Sequence, residues 1–226
     1  MVEEPLNMND EQLAATADSY DRIAADYVHH IYYELDSKPF DRATLDSFAA
    51  RLRGRGTVCD IGCGPGHVAR YLADQGVDMI GVDLSPGMVA QAASLNPDIS
   101  FRVGDMSALD ERDGSWAGIS AFYSIIHIPR ESIATVLSEL HRVLKPEGLL
   151  LLTFHLGDED LHETEIWEQS IDLRYWMYGS DEMKGYLEQA GFVVEEVVER
   201  DPYAPEVEYQ SRRAYILARK PGNGYG

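Results

Sequence analysis

The chain has 226 residues, 45% of them hydrophobic, and is long enough to bury a substantial core in one α/β domain. Acidic residues number 39 against 19 Lys and Arg, and the formal net charge of −20 argues against nucleic acid as a partner, because binding phosphates requires a basic surface. Residues 1–5 are acidic where a secretory signal is basic, and no apolar run has membrane-spanning length, so we expect a cytoplasmic protein that binds no membrane.

Apolar residues at helical spacing come first along the chain. They include Leu13, Ala17, Tyr20, Ile23 and Tyr27. A similar pattern at 45–52 leads us to expect two or three helices within residues 1–53. Short apolar runs then alternate with helical segments. The runs that predict strands are 58–61, 79–82, 99–103, 118–122 and 149–154, and the helical segments include 68–73, 86–94 and 130–144. This alternation is typical of a parallel sheet with helices on both faces.

The end of the chain predicts a change of strand direction. A helical pattern at 181–190 is followed by strand-like runs at 192–198 and 214–218. The segment 201–210 between these runs is too short for a helical crossover, so we expect the two strands to pair antiparallel.

The predicted fold is therefore α/β, with a doubly wound, seven-stranded, mostly parallel sheet whose last strand is antiparallel. We expect a single domain over residues 1–226, in which a helical cap or lid at 1–53 precedes the α/β core. A polar insert at 155–178 would lie on the substrate side of that core.

A glycine-rich loop follows the first predicted strand. Gly62, Gly64 and Gly66 stand at a strand-to-helix junction, where missing side chains let a nucleotide-like ligand approach the backbone. Asp83 ends the next strand, where a carboxylate can bind a ribose diol. A tight turn would explain the glycines alone and a helix N-cap would explain Asp83 alone, but their joint spacing favours a cofactor site.

These motifs resemble those of class I S-adenosylmethionine-dependent methyltransferases. Residues 58–66 are similar to motif I of the family, 81–88 to its next motif, and 104–106 extend the match. With the turn at 145–148 and the final hairpin, the resemblance covers about 56–219 and implies a Rossmann-like core over these residues. It implies S-adenosylmethionine as the cofactor, with the methionine part at Gly62, Cys63 and Gly64, its amino group near Asp60, and the ribose hydroxyls on Asp83. The other residues that it places beside the cofactor are Leu84, Met88, Gly104, Asp105, Met106 and Phe122.

Tyrosines crowd the N-terminal helices. The pattern Tyr20-Asp21-x-x-Ala24-x-x-Tyr27 looks like that of related methyltransferases, which fold such helices over the cofactor as a lid. We expect Tyr20 and Tyr27 on the cofactor side and Tyr32 and Tyr33 on the substrate side. Core packing is the alternative for a tyrosine stripe at helical spacing.

The segment after the fourth strand should face the ligand crevice and contact the substrate, Tyr123 in particular. It lacks the Asn-or-Asp-Pro-Pro-aromatic pattern found in methyltransferases that modify amino groups of nucleic acids. His127 is the candidate catalytic base, since imidazole can take a proton from a hydroxyl or amine, and a helix cap or simple packing is the alternative.

Substrate contacts are also expected at the polar insert. We place His155 and Arg174 on the substrate side, because an arginine suits a carboxylate or phosphate group. His155 and His162 flank the acidic run 158–160, but their spacing matches no familiar metal site, so we predict a solvated loop and no metal.

The sequence thus predicts methyl transfer from S-adenosylmethionine to an oxygen or nitrogen of a small molecule, releasing S-adenosylhomocysteine. An NAD-dependent oxidoreductase is the nearest alternative, although its fingerprint is Gly-x-Gly-x-x-Gly whereas the glycines here are spaced by two. An aminopropyl transferase or a non-catalytic protein that binds an adenosyl ligand could share the same motifs.

Overall fold

The computed structural model describes residues 10–222; residues 1–5, on which the expectation of no leader rests, lie outside that range. The helices are α1 (Asp10–Ile31), α2 (Pro39–Leu52), α3 (His67–Asp74), α4 (Pro86–Leu95), α5 (Arg130–Val143) and α6 (Ser180–Gln189). The strands are β1 (Val58–Ile61), β2 (Met79–Asp83), β3 (Ser100–Val103), β4 (Trp116–Phe122), β5 (Leu144–His155), β6 (Leu161–Ile166), β7 (Gln169–Tyr175), β8 (Val193–Arg200) and β9 (Arg213–Arg219). Among the described residues, no helix combines the length and apolar character needed to cross a membrane.

Seven strands form one sheet in the order β3-β2-β1-β4-β5-β9-β8. Strands β1 to β5 pair in parallel, and β9 pairs antiparallel with both β5 and β8. Every residue of β1 and β4 is buried, as expected for central strands covered on both faces, whereas the edge strands β3 and β8 are largely exposed. The predicted fold is confirmed, including the antiparallel last strand.

Helices cover both faces of the sheet through two apolar cores. On one face, α5 and α6 bury residues such as Val136, Leu140 and Leu187 against the central strands. On the other face, α2 and α3 pack residues such as Phe48 and Leu72 against β1 and β5. The helices that precede the sheet were predicted, and the buried face of α2 belongs to the core on this side of the sheet.

The segment 145–148, predicted as a turn, lies within the bounds of β5. The pairing of β5 with β4 jumps from Leu144 to Leu149, which leaves the four residues between them outside the regular ladder. Glu147 has a φ of +63°, which shows that the chain does turn sharply here. The strand therefore continues on both sides of the predicted turn.

The insert at 155–178 is a β-hairpin of β6 and β7, not a solvated loop throughout. Ile171 and Leu173 are buried while Asp172 and Arg174 are exposed, so β7 alternates as a half-buried strand should. Trp167 and Glu168 form the tip with φ of +48° and +64°, values typical of a tight hairpin turn. Many charged residues on the exposed face obscured this alternation in the sequence.

A third, smaller core joins the hairpin to α1 and α4. It contains Ile23 and Ala24 of α1, Met88 of α4, and Ile171 and Leu173 of β7. Helix α1 therefore lies between α4 and the hairpin and does not pack as an isolated cap.

Candidate active site

A cleft lies at the carboxyl edge of the sheet, where β1, β2 and β4 end. It holds about 880 Å³ of space, part of it open to solvent, which is within the range of small-ligand sites. Most of the predicted site residues line it, namely Tyr20, Tyr27, Gly62, Cys63, Gly64, Asp83, Leu84, Met88, Gly104, Asp105, Met106, Phe122, Tyr123 and His127. The motifs read from the sequence therefore converge on one place in the fold.

The glycine loop after β1 packs against the segment that follows β4. Gly62, Gly64 and Gly66 have φ of +66°, +52° and +82°, in the left-handed region that favours glycine. A Cβ on Gly62 would stand 2.3 Å from the Cβ of Ser124. The Ser124 hydroxyl donates a hydrogen bond of 2.7 Å to the carbonyl oxygen of Ile61. The loop thus depends on glycine both for its conformation and for this close contact.

Asp83 lines the cleft at the end of β2 and is held by backbone amides. The N–H of Gly64 donates to Oδ2 at 2.7 Å, and the N–H of Ser85 donates to Oδ1 at 2.9 Å. Burial raises the pKa of Asp83 to about 6, although these hydrogen bonds favour the ionised form. Each oxygen of the ionised carboxyl can accept further hydrogen bonds, so this fixed group can receive a diol.

Helix α1 covers the cleft and is fastened to α4. The rings of Tyr20 and Tyr27 lie edge to face with centroids 5.8 Å apart. Asp21 accepts a hydrogen bond of 2.7 Å from the N–H of Gly87 and another from the hydroxyl of Ser85. These bonds satisfy groups at the N-terminus of α4 from a different helix.

His127 lies at the floor of the cleft with both ring nitrogens engaged. Nδ1 is 2.9 Å from the carbonyl oxygen of Arg174, so Nδ1 must carry the proton and donate. Nε2 is 2.7 Å from the hydroxyl oxygen of Tyr20 and accepts a hydrogen bond from this hydroxyl. Burial lowers the pKa of His127 to about 4, so the ring is neutral at physiological pH. His127, which lies in the segment after β4, therefore links helix α1 to the hairpin of β6 and β7.

A cluster of three ionisable side chains beside the glycine loop was not predicted. His67, the first residue of α3, places Nε2 at 3.1 Å from Oε1 of Glu34, and Lys38 places Nζ at 2.5 Å from Oε2. Burial raises the pKa of Glu34, but its hydrogen bonds and charge interactions with His67 and Lys38 outweigh that effect and lower the pKa to about 2. Within the described residues, Nδ1 of His67 is buried and lacks a hydrogen-bond partner.

Other lining residues were also missed by the sequence analysis. They are Leu13, Thr16, Glu34, Ile61, His67, Ser124 and Ile128. Ile61, Ser124 and Ile128 directly adjoin predicted site residues, and His67 follows the glycine loop, so this adjacency was an available signal. Leu13 and Thr16 reach the cleft only because α1 folds back over the sheet, and Glu34 belongs to a short 3₁₀ turn with no recognisable motif.

Asp60 does not line the cleft, in contrast to the prediction. It is 2% exposed in the interior of β1, at a strand position that pairs with Ser120 of β4. Burial raises its pKa to about 7. Within the described residues, Oδ2 of Asp60 and Oγ of Ser120 are buried without hydrogen-bond partners.

The structure does not bring all of the predicted substrate-side residues to the cleft. The Tyr33 side chain is 72% exposed, and Tyr32 donates a 2.8 Å hydrogen bond to Asn96 at the end of α4. Arg174 is exposed because it alternates with the buried Leu173 along β7, so that only its carbonyl oxygen reaches His127. Helix α1 ends at Ile31, which places the two later tyrosines beyond the lid.

His155 lies behind Tyr123, one side chain away from the cleft. Its ring is tilted against that of Tyr123 with centroids 5.2 Å apart, and Nδ1 is 2.6 Å from the hydroxyl of Ser211. Burial lowers the pKa of His155 to about 3. His162, by contrast, pairs with Asp172 on the exposed side of the hairpin. No group of three His, Cys, Asp or Glu within residues 10–222 is arranged to hold a metal ion.

Comparisons with known proteins agree with this geometry. A family model described as a methyltransferase domain matches residues 58–148. A demethylmenaquinone methyltransferase from Beutenbergia cavernae is 37% identical over 111 residues, covering 49% of this chain and 45% of that protein. A malonyl-[acyl-carrier protein] O-methyltransferase from Enterobacter lignolyticus is 28% identical over 164 residues, covering 70% of this chain and 60% of that protein. The chain thus spans about half of the length of these curated relatives.

The fold also matches solved structures. A crystal structure of a SAM-dependent methyltransferase from Methanosarcina mazei superposes with a TM-score of 0.67 at 17% identity, covering 74% of this chain and 93% of that chain. At this low sequence identity, the superposition shows a shared fold and nothing further.

Proposed function

We propose that this chain is a class I S-adenosylmethionine-dependent methyltransferase that transfers the methyl group of S-adenosylmethionine to an oxygen or nitrogen of a small molecule. The observation that carries the proposal is the cleft in which the glycine loop, the fixed carboxylate of Asp83 and the lid tyrosines face one another. Relatives named for demethylmenaquinone and malonyl-[acyl-carrier protein] support an acceptor other than nucleic acid. The net charge of −20 supports the same choice.

The donor groups of the cleft fit the proposed cofactor. Asp83 can accept the ribose hydroxyls while the amides of Gly64 and Ser85 hold it in place. The side chains of Leu84 and Met106 offer an apolar surface to adenine. Aromatic rings that line the cleft, Tyr20, Tyr27 and Phe122, can face a sulfonium cation, which the neighbouring neutral imidazole of His127 does not repel.

The bound cofactor would supply a methyl group on an electron-deficient sulfur. What the protein contributes is alignment of the acceptor and exclusion of water, since displacement at the methyl carbon needs the nucleophile in line. Helix α1 and the hairpin enclose the cleft for this purpose. His127 remains the candidate base, and it would act only after its Nε2 exchanges the Tyr20 hydroxyl for the acceptor.

The cytoplasm is the proposed location. Cys59 and Cys63 are both free and buried, which supports a reducing compartment.

Calorimetric titration of the purified protein with S-adenosylmethionine, S-adenosylhomocysteine and NAD tests the cofactor assignment. We expect micromolar binding of both adenosyl ligands and none of NAD. Binding of NAD alone would support the oxidoreductase alternative. Transfer of label from methyl-tritiated S-adenosylmethionine to a set of phenols, amines and carboxylic acids then separates an enzyme from a binding protein, because a binding protein gives no labelled product.

A further inference from the structure

A buried network of charged and phenolic groups lies behind Tyr123, on the side away from the glycine loop. The hydroxyl of Tyr123 is 3.0 Å from that of Tyr215, which donates to Asp41 at 2.8 Å. Arg200 bridges Asp41 and Glu208, with nitrogen-to-oxygen distances of 3.0 and 2.5 Å. These groups lie within the fold near the end of β5 and the start of β9, so each buried polar atom there needs a partner.

The two arginines of this network differ in how their donors are used. Arg200 uses all three nitrogens: Nε donates to Tyr215, Nη1 to Glu208 and Nη2 to Asp41. Arg213 has a side chain only 3% exposed, yet its bonds to Ser211 and Glu208 both use Nη1. Among the described residues, Nε of Arg213 is buried without a hydrogen-bond partner. Arg200 is therefore a satisfied structural cation, whereas the Nε edge of Arg213 remains free.

Competition for Glu208 explains why Arg213 is left partly unpaired. Oε1 of Glu208 is 2.5 Å from Arg200 and 2.6 Å from the backbone nitrogen of Tyr203, whereas its distance to Arg213 is longer, 3.2 Å. One edge of a guanidinium group presents two parallel N–H donors, which match the two oxygens of a carboxylate. The free edge of Arg213 thus has the chemistry of a carboxylate site.

The position of Arg213 relates this edge to the cleft. Its guanidinium carbon lies 5.7 Å from the centre of the Tyr123 ring, and Tyr123 itself lines the cleft. His155 pairs with Arg213 across β5 and β9 and also packs on Tyr123. Tyr209, 57% exposed, packs against His155 with ring centroids 6.0 Å apart. Contacts between neighbouring side chains therefore lead from the exposed Tyr209 through His155 to Tyr123, and Arg213 lies beside the same ring.

The state of His127 favours a nucleophile that is already ionised. Nε2, the nitrogen that could take a proton, already accepts a hydrogen bond from Tyr20. Burial also lowers the pKa of the ring to about 4. A hydroxyl or ammonium acceptor would need a base, whereas a carboxylate needs none.

Resting on the proposed methyl transfer, we propose that the acceptor is a carboxylic acid, whose carboxylate is bound by the free edge of Arg213 beside Tyr123 and is methylated on oxygen. A carboxylate oxygen forms the new bond to the methyl carbon as the bond between that carbon and sulfur breaks. The sulfonium becomes the neutral thioether of S-adenosylhomocysteine, the carboxylate becomes a methyl ester, and no proton is transferred.

The first test is the identity of the product. The protein is incubated with methyl-tritiated S-adenosylmethionine and, separately, hexanoate, benzoate, hexanamide, benzamide, hexyl phosphate, phenol or benzylamine. We expect label on an acid, released as volatile methanol by alkali, and none on the amides or the phosphate. Label that is stable to alkali on phenol or benzylamine would overturn this inference and leave the proposed methyl transfer standing. If no probe is labelled, failure of hexanoate and benzoate to bind the S-adenosylhomocysteine complex, measured by saturation-transfer NMR, also overturns it.

The second test is Arg213→Lys, which keeps the charge but removes the paired donors. We expect about a thirtyfold loss of kcat/KM, or of affinity, for the acid, with unchanged binding of S-adenosylhomocysteine. Arg212→Lys is the matched control, since Arg212 is 56% exposed and pairs with Glu199 on the surface. Equal behaviour of the two variants toward the acid, at unchanged cofactor affinity, contradicts a role for Arg213 in acceptor binding.

Discussion

Asp83 combines two properties that usually oppose each other, burial and a requirement for charge. Two backbone amides orient its carboxylate, while the surrounding protein raises its pKa to about 6. The group is therefore ionised near neutral pH but takes up a proton in mildly acidic solution. In the proposed cofactor site a diol would donate to the carboxylate more strongly than to the neutral acid, so cofactor affinity would depend on pH in this range.

We predict that affinity for S-adenosylmethionine falls as the pH is lowered through about 6. Asp83→Asn should weaken binding by about tenfold to a hundredfold at neutral pH, since hydrogen bonds to a charged group contribute about 1.5–3 kcal/mol. The variant should also lose the pH dependence. Calorimetric titration at several pH values measures both effects. Unchanged affinity in Asp83→Asn, or an equal pH dependence in both proteins, would remove Asp83 from the cofactor site.

His127 connects pH to folding stability, which its protonation lowers in acidic solution. Its pKa is lowered to about 4 in the folded state, so the unfolded chain takes up this proton at a higher pH than the native protein does. The contribution of His127 to stability is complete above the unfolded pKa of about 6.5 and is lost as the pH falls toward 4. Asp60 and Asp83, whose pKa values are raised, change stability in the other direction over part of this range.

Comparison of the wild type with His127→Gln isolates the histidine. We predict that the free energy of unfolding of the wild type, relative to that of the variant, falls by about 2 kcal/mol between neutral pH and pH about 5. Urea denaturation at both pH values measures the difference. His162→Gln is the control, because His162 is exposed. A difference between wild type and His127→Gln that does not change with pH would show that the folded imidazole titrates normally.

The residues that the sequence identified are those at positions that require a particular local backbone conformation. Gly62 and Gly64 need positive φ, and Asp83 ends a strand, so spacing along the chain was sufficient to find them. Glu34 and His67 are 33 residues apart in the chain and meet only through the fold. Arg174 shows the converse, because a suitable residue type in a suitable segment was placed on the exposed side by the alternation of β7.

At the scale of elements, α6 and the glycine loop show two opposite uses of glycine. Gly185 lies inside α6, where a Cβ would meet nothing within 4 Å, whereas a Cβ on Gly62 would collide with Ser124. The first glycine lowers helix stability for no visible structural benefit, and the second is required by the loop.

Gly185→Ala should therefore stabilise the protein by about 0.5–1 kcal/mol, raising Tm by about 1–4 °C. Gly62→Ala should destabilise it by about 2 kcal/mol or more, because of both the collision and the positive φ. Thermal unfolding measures both variants. A lower Tm for Gly185→Ala would mean that α6 has a neighbour at this position that the structure lacks.

The elements differ in how far the sequence predicted them. Buried strands such as β1 and β4 were recognised because short apolar runs between turns have few other interpretations. The hairpin of β6 and β7 was not recognised, since its buried face consists of few residues and packs on α1 rather than on the main sheet. Its strand character depends on a partner that the local pattern does not reveal.

At the scale of the whole molecule, the net charge of −20 acts on every ligand that approaches. S-adenosylmethionine carries one net positive charge through its sulfonium, whereas S-adenosylhomocysteine is neutral overall. The protein field should therefore attract the substrate cofactor more than the product cofactor, and dissolved salt should weaken this difference.

We predict that the association rate of S-adenosylmethionine falls severalfold between low ionic strength and about 0.5 M salt, while that of S-adenosylhomocysteine changes little. Stopped-flow fluorescence of the tryptophan near the lid, Trp167, can follow both ligands. Equal salt dependence for the two would show that the charge acts only through general screening of the protein.

The position of α1 has a consequence for the order of events in catalysis. This helix is bonded to α4 through Asp21 on one side and packs against the hairpin on the other, and Tyr20 ties it to His127. We expect the cofactor to enter beneath it when these contacts loosen, and an acceptor bound beside Tyr123, which lines the same cleft, to hold them closed. The cofactor is thus expected to bind first and its spent form to leave last, which is a compulsory-order kinetic scheme imposed by one helix.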